Sequence, residues 1–261
     1  MNILLVNEEG CFSAGIVELA KVLSVHHRVV IVGPINPLSG TGHTLTNGNA
    51  PIRVRQYFTK LSKVKIFAVG GTPCDCVTLA LDKLLKSKPD LIISGIDSVN
   101  NRGETMLSSG VVSAAIEGTI QGIKSIALSA NAEKASAEGE FRKIARKVAT
   151  AFSKNLDEFV KLIKPDITLN INYPTDFSKR RIKYTHATDG LIDNKYKWEV
   201  NSFGLTFYWL KTPRMGFGLE ALDQKGDLYW LKRNFITVTP LKLDLTCIKS
   251  LPIIEKAGLK L

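Results

Sequence analysis

The 261-residue sequence predicts an α/β fold: a Rossmann-like, doubly wound and mostly parallel sheet followed by a β-rich C-terminal extension. Three observations carry this expectation. Short apolar, β-branched runs alternate with amphipathic helical patterns up to Pro174. The first such run breaks directly into the polar, glycine-bearing loop Asn7-Glu8-Glu9-Gly10. Beyond residue 175 the helical period disappears, and aromatic and β-branched residues dominate.

The elements follow in order. Asn2-Ile-Leu-Leu-Val reads as a buried first strand. Ile16, Leu19, Ala20 and Leu23 then fall at i, i+3, i+4 and i+7, the stripe of a helix with Ser13 as N-cap. Arg28–Gly33 is a second strand ended by Gly and Pro, and Lys65–Val69 is a third. Thr72-Pro73-Cys74-Asp75 opens a helix with a cap residue, a first-turn proline and a first-turn acid, and its core stripe is Val77, Leu81, Leu84 and Leu85. Pro89–Ile96 is the next strand, and a polar loop runs from Asp97 to Ser109. Gly110–Ile120 is a small-residue helix, Ser125–Ser129 a strand, and Phe141 to Phe152 an amphipathic helix. Asp166–Asn172 is expected to close the sheet. Strands and hairpins are expected around Trp198, Phe203, Phe207 to Trp209, Tyr229, Trp230 and Phe235 to Val238, and a packing helix from Ile248 to Leu261. The whole reads as one domain, with a core over about 1–174 and an extension over about 175–261.

Composition narrows the function classes. At 44% hydrophobic and 23% charged, the chain is of ordinary globular type. The apolar start is too short for a signal peptide and no stretch is long enough to span a membrane, so a cytoplasmic location is expected. Cys11, Cys74, Cys76 and Cys247 lack zinc-site spacing and read as buried free thiols. The net charge is +11, yet residues 1–130 hold 12 basic and 9 acidic side chains, so the excess lies mainly in the second half. Its densest run, Lys179-Arg180-Arg181-Ile182-Lys183, is short and lacks interleaved aromatics, which fits a solvated edge; a nucleic-acid partner is not expected.

In an open parallel sheet the chemistry gathers in the crevice beyond the carboxyl ends of the strands. The loops that reach it carry Glu8 and Glu9, then Ser39-Gly40-Thr41-Gly42-His43, then Gly70-Gly71-Thr72, then Asp97 to Ser109. Three carboxylates and a hydroxyl form an all-oxygen donor set suited to Mg²⁺, Mn²⁺ or Ca²⁺. No G-x-G-x-x-G follows the first strand and no Walker lysine follows Gly42, which argues against the common NAD and ATP modes. The Ser108-Ser109-Gly110 turn into a helix offers unpaired amides for a phosphate, and a metal beside them is the arrangement for phosphoester hydrolysis. His43 reads equally as a hydrogen-bonding residue behind the site or as turn packing, and Asp75 as a helix first-turn acid.

With these motifs in view, the chain resembles the SurE family of metal-dependent nucleotidases. The resemblance rests on Ile3-Leu-Leu-Val-Asn-Glu-Glu-Gly10, Ala14-Gly15-Ile16, Ser39-Gly-Thr-Gly-His43 and Gly71-Thr-Pro-Cys-Asp-Cys-Val77. It continues through Pro89–Ile96, Ser109-Gly110, Leu169-Asn-Ile-Asn-Tyr-Pro174 and Thr237-Val-Thr-Pro-Leu241. It implies hydrolysis of nucleoside monophosphates at a 5′- or 3′-phosphate, one divalent ion (Mg²⁺, Mn²⁺ or Co²⁺, with Ca²⁺ able to substitute), and a swapped C-terminal tail in a homodimer or homotetramer. The implied metal ligands are Glu8, Glu9, Ser39 and Asp97, with Glu8 and Glu9 as catalytic residues. The implied substrate-binding residues are Asn101, Ser109 and Gly110. Three ligand positions depart from the family's pattern, since Glu8 and Glu9 stand for aspartates and Asp97 for an asparagine. Val111 replaces a threonine, and Arg102 replaces a leucine as a substrate-binding cation that would offset Asp97 if it turned into the crevice. These departures keep open a second reading, a SurE-fold protein that binds nucleotide or metal with little turnover.

Overall fold

The computed structural model describes the chain except residues 49, 60–63, 133–134, 136, 180, 189–194, 211–222 and 257–261. Its centre is β1 (Asn2–Val6), buried from Ile3 onward on both faces. Alternate side chains leave the strand on opposite sides, so Ile3 and Leu5 enter one apolar cluster and Leu4 and Val6 another. That two-sided burial is why the first apolar run shows no polar alternation.

β1 pairs in parallel with β2 (Arg28–Pro34) on one side and β5 (Leu91–Asp97) on the other. Outside β2 lie β4 (Val64–Val69), parallel, and β3 (Val54–Tyr57), antiparallel. Outside β5 come β6 (Ser125–Ala130) and β7 (Ile167–Tyr173), both parallel. The sheet does not end there. The expectation that Asp166–Asn172 closes it is corrected by β11 (Ile236–Lys242), antiparallel on β7, and β8 (Ile182–Tyr184), parallel on β11. The full order is β3-β4-β2-β1-β5-β6-β7-β11-β8.

One face is covered by α1 (Ala14–Leu23) packed on α4 (Glu138–Ser153), extended by α5 (Leu156–Leu162). The other is covered by α2 (Pro73–Leu79) packed on α3 (Gly110–Ile120). The expected stripe of α1 is buried, as is that of α4 apart from half-buried Ile144, and α3 has the expected bounds. Thr72 caps α2 in a reciprocal box with Asp75, as the Thr-Pro-Cys-Asp pattern requires. The helix then widens into a π-turn over Ala80–Leu84, which leaves Leu81, Leu84 and Leu85 only partly buried.

Two further readings are corrected. Tyr229 and Trp230 lie in a short helix, α6 (Asp227–Leu231), because an aromatic cluster alone does not fix a period. Cys11, Cys74 and Cys76 are buried free thiols, but Cys247 is exposed. β9 (Tyr196–Val200) and β10 (Thr206–Leu210) form a separate antiparallel hairpin whose strand residues are all exposed, Trp198, Tyr208 and Trp209 among them. The short helix α7 (Leu251–Lys256) is likewise exposed, and the last five residues of the expected tail helix lie outside the described residues.

Candidate active site

The strand order reverses between β1 and β5: one half of the chain winds outward through β2 and β4, the other through β6 and β7. At such a switch point the loops part and leave a crevice. Glu8 and Glu9 follow β1, and Asp97 is the last residue of β5, so the topology joins carboxylates about 90 positions apart in sequence. Close approach here depends on Gly15, since a Cβ at that position would overlap the Ile96 carbonyl oxygen. Asn7 ties the same two strand ends, donating to Ile96 O at 3.2 Å and to Ser13 Oγ at 3.0 Å while accepting from Glu9 N at 3.2 Å.

Glu8 is 5% exposed. Its Oε2 accepts from Gly110 N at 2.6 Å, and the Val111 amide and the Ser39 hydroxyl also hydrogen-bond the carboxylate. A longer acid than aspartate thus reaches across the crevice into the first turn of α3, where unpaired amides and the helix dipole favour an anion. Glu9 turns the other way and accepts from Ser98 N at 3.1 Å and from the Ser98 hydroxyl. Asp97, 4% exposed, accepts from Asn101 Nδ2 at 2.7 Å and Val99 N at 3.2 Å.

Burial pushes the Asp97 carboxyl well above the usual range; the Glu8 and Glu9 charges add to this, and the bonds from Asn101 and Val99 oppose it. Burial also raises the Glu8 carboxyl, against hydrogen bonds from Gly110, Ser39 and Val111, with a smaller push from Glu9. The acids therefore share one poorly solvated space and repel one another. The expected offset by Arg102 is not formed: Nη1 donates to Asn100 O at 3.3 Å, because the residue starts the 3₁₀ turn Gly103–Ser108 and folds back on its own loop. Its Nε is buried without a hydrogen-bond partner.

The loop carrying Ser39 is pinned at several points. Leu38 N donates to Glu8 O at 2.8 Å and Gly42 N to Ser108 O at 3.0 Å. His43 Nε2 lies 2.8 Å from Oε2 of buried Glu117 in α3, which makes His43 an anchor rather than a turn filler. Thr46 binds Asp75 through its amide at 2.9 Å and its hydroxyl at 2.6 Å. Asp75 is thus the first-turn acid of α2 and a second tether for this loop.

The loop from Asp97 to Ser109 is held from more distant chain. Asn101 uses both side-chain hydrogens, on Asp97 Oδ2 and, at 2.9 Å, on Ser129 Oγ. Its peptide is gripped by Asn172 and Asn170 of β7, and Gly103 N donates to buried Asp227 Oδ2 at 3.0 Å. Ser109 caps α3 by accepting from Val112 N at 3.1 Å. Of these supports Ser98, Ser129, Asn170, Asn172 and Asp227 were missed from sequence. The one usable signal was the alternation Thr168, Asn170, Asn172, polar residues at every second position of an otherwise apolar strand.

The donors around the crevice are oxygen atoms of Glu8, Glu9, Asp97 and Ser39, and buried carboxylates that repel one another are relieved by a cation or by taking up a proton. That chemistry fits a hard divalent cation. Among the described residues no three acidic, histidine or cysteine side chains already converge to enclose an ion. Glu8 accounts for part of this, since its carboxylate is engaged by α3.

Comparisons with known proteins agree with the fold. The sequence profile of a family described as Survival protein SurE matches residues 3–194. The 5′-nucleotidase SurE of Clostridium beijerinckii is 34% identical over 255 residues, covering 94% of each chain. That of Thermosipho africanus is 35% identical over 252 residues, 94% of this chain and 93% of its own. The crystal structure of the SurE protein from Aquifex aeolicus superposes with a TM-score of 0.76 at 33% identity, covering 99% of this chain and 100% of that one.

Proposed function

The chain belongs to the SurE family, and from that premise we propose that it is a metal-dependent phosphomonoester hydrolase acting on nucleoside monophosphates. The observation that carries this reading is the placement of Glu8, Glu9 and Asp97 at the ends of β1 and β5, flanking the switch point beside the amino end of α3. Glu8, Glu9, Ser39 and Asp97 would hold one divalent ion, Mg²⁺, Mn²⁺ or Co²⁺. When bound, the ion supplies charge neutralisation and a water of lowered pKa.

The chain's own groups then divide the remaining work. Glu8 or Glu9 orients the attacking water and accepts its proton. With Glu8 and Asp97 turned to the ion, the Gly110 amide at the start of α3, the Ser109 turn and the Asn101 side chain would be released to face the charge that develops on the phosphoryl oxygens. Arg102, whose buried Nε has no hydrogen-bond partner, would have to turn out of its own loop to donate to a phosphate oxygen. The test is phosphate release from nucleoside 5′- and 3′-monophosphates with each metal and after chelation. Metal-stimulated, chelator-sensitive release is expected, and release indifferent to chelator would refute the metal's role.

A second reading, a member that binds but turns over little, has one observation in its favour: Glu8 occupies the Gly110 amide that a phosphate would need. Replacing Glu8, Glu9 and Asp97 together by Asp, Asp and Asn separates the two. A large gain in turnover supports the second reading, and a loss supports a site tuned as it stands.

We propose a homodimer or homotetramer, on the strength of the exposed aromatic hairpin β9–β10 and the exposed apolar residues Leu251, Ile253 and Ile254 of α7. We place the protein in the cytoplasm, in keeping with its free thiols; no helix among the described residues is long and apolar enough to cross a membrane.

A further inference from the structure

The geometry points to Asn172 as a positioning residue for the reaction, one that fixes the Asn101 peptide and through it the Asp97 carboxylate. This rests on the proposed metal site. Asn172 is fully buried at the carboxyl end of β7. Its side-chain amide engages both polar groups of one peptide residue: Oδ1 accepts from Asn101 N at 2.8 Å, and Nδ2 donates to Asn101 O at 2.9 Å. Asn170, two residues earlier on the same face, donates to that same carbonyl at 2.7 Å. Asn101 O thus accepts two side-chain donors, and its N–H is satisfied as well.

A loop residue in an irregular turn has no ladder to hold it, and here a side chain imitates the missing strand partner. With its backbone locked, Asn101 can spend both Nδ2 hydrogens on Asp97 Oδ2 and Ser129 Oγ. The chain of contacts runs from the sheet interior to the carboxylate that faces Glu8 and Glu9, with every link buried. Groups behind a metal ligand that fix its orientation typically matter 10- to 100-fold to metal affinity.

The experiment compares the full-length protein with Asn172→Ala, Asn172→Asp and a control, Thr168→Val. Thr168 lies on the same strand face and loses an equally buried bond, the 2.6 Å contact with Thr119, away from Asn101. Mn²⁺ binding is measured directly by titration, and exchange of the Asn101 amide proton by NMR. Both Asn172 variants are expected to weaken Mn²⁺ binding by about 10- to 100-fold and to speed Asn101 exchange by more than about tenfold. Thr168→Val is expected to change both by less than about twofold while lowering the melting temperature. Wild-type Mn²⁺ affinity and Asn101 protection in a folded Asn172→Ala protein would overturn the assignment, as would an equal loss in Thr168→Val. If the wild type binds no Mn²⁺ and releases no phosphate, the hydrolase reading fails on its own, and the positioning role fails with it only if exchange at Asn101 is also unchanged.

Discussion

Shortening Glu8 by one methylene tests what the longer acid does. In Glu8→Asp the carboxylate retreats by about 1.5 Å, one carbon–carbon bond. The 2.6 Å contact with Gly110 N then opens to about 4 Å, beyond hydrogen-bond range. A bond to a charged acceptor contributes about 1.5–3 kcal/mol. At about 2–4 °C per kcal/mol for a domain of this size, the metal-free variant should melt roughly 3–12 °C below wild type. The same change frees the first amides of α3, whose alternative ligand is a phosphate. Inorganic phosphate, titrated in calorimetry without metal, should then bind about tenfold more tightly or better, because it no longer competes with an internal carboxylate. Thermal melting with and without phosphate reads both effects together, since a tighter ligand returns part of the lost stability. A variant that melts lower yet binds phosphate no better than wild type would refute the argument that Glu8 occupies the anion position.

The Asp97 carboxyl titrates above its ordinary value of 3.8, so the native state holds its proton more tightly than the unfolded chain does. Its stabilising effect is complete below that ordinary value and is lost as pH rises through the elevated native one, at up to about 1.4 kcal/mol per pH unit. Metal-free Asp97→Asn should therefore show a flatter decline of melting temperature with rising pH, and an unchanged slope would contradict the burial argument. His43→Ala unties the Ser39 loop from buried Glu117; we expect about 1–3 kcal/mol lower stability by denaturant titration and weaker Mn²⁺ binding, whereas lost stability with intact binding would confine His43 to packing. Replacing Trp198 and Trp209 by serine on the exposed hairpin should lower the mass seen by light scattering while the far-ultraviolet spectrum stays native, and an unaltered mass would exclude this face from self-association.

How much was readable in the sequence follows from how local each signal is. The inner strands and α1, α3 and α4 announce themselves through apolar period and caps, both properties of neighbouring residues. Glu8, Glu9 and Asp97 stand out because polar loops at strand ends are where the fold places chemistry. The aromatic segment around Tyr229 and Trp230 carries no period, so its short helix reads as strand from sequence. The outer strands depend on pairing across long separations, β11 with β7 and β8 with β11, which no window of sequence displays. The direction of Glu8 and of Arg102 was hidden for another reason. Each depends on which amide or carbonyl a flexible side chain finds nearby, and only the assembled loops decide that.

The attachment of β11 to β7 and of Asp227 to Gly103 bears on how the chain folds during synthesis. Ribosomes release Glu8 and Glu9 among the first residues, yet Gly103 waits for a partner 124 positions later. The β7 strand that carries Asn172 keeps an open edge until residues 236–242 have emerged. An exposed edge with a half-anchored loop is the form of the chain most open to wrong pairing during synthesis. The crevice therefore acquires its final shape only when the C-terminal segment docks, and a chain cut at Pro174 would keep the acids and their Asn172 brace but lose the Asp227 tether on Gly103 and the strand that covers β7.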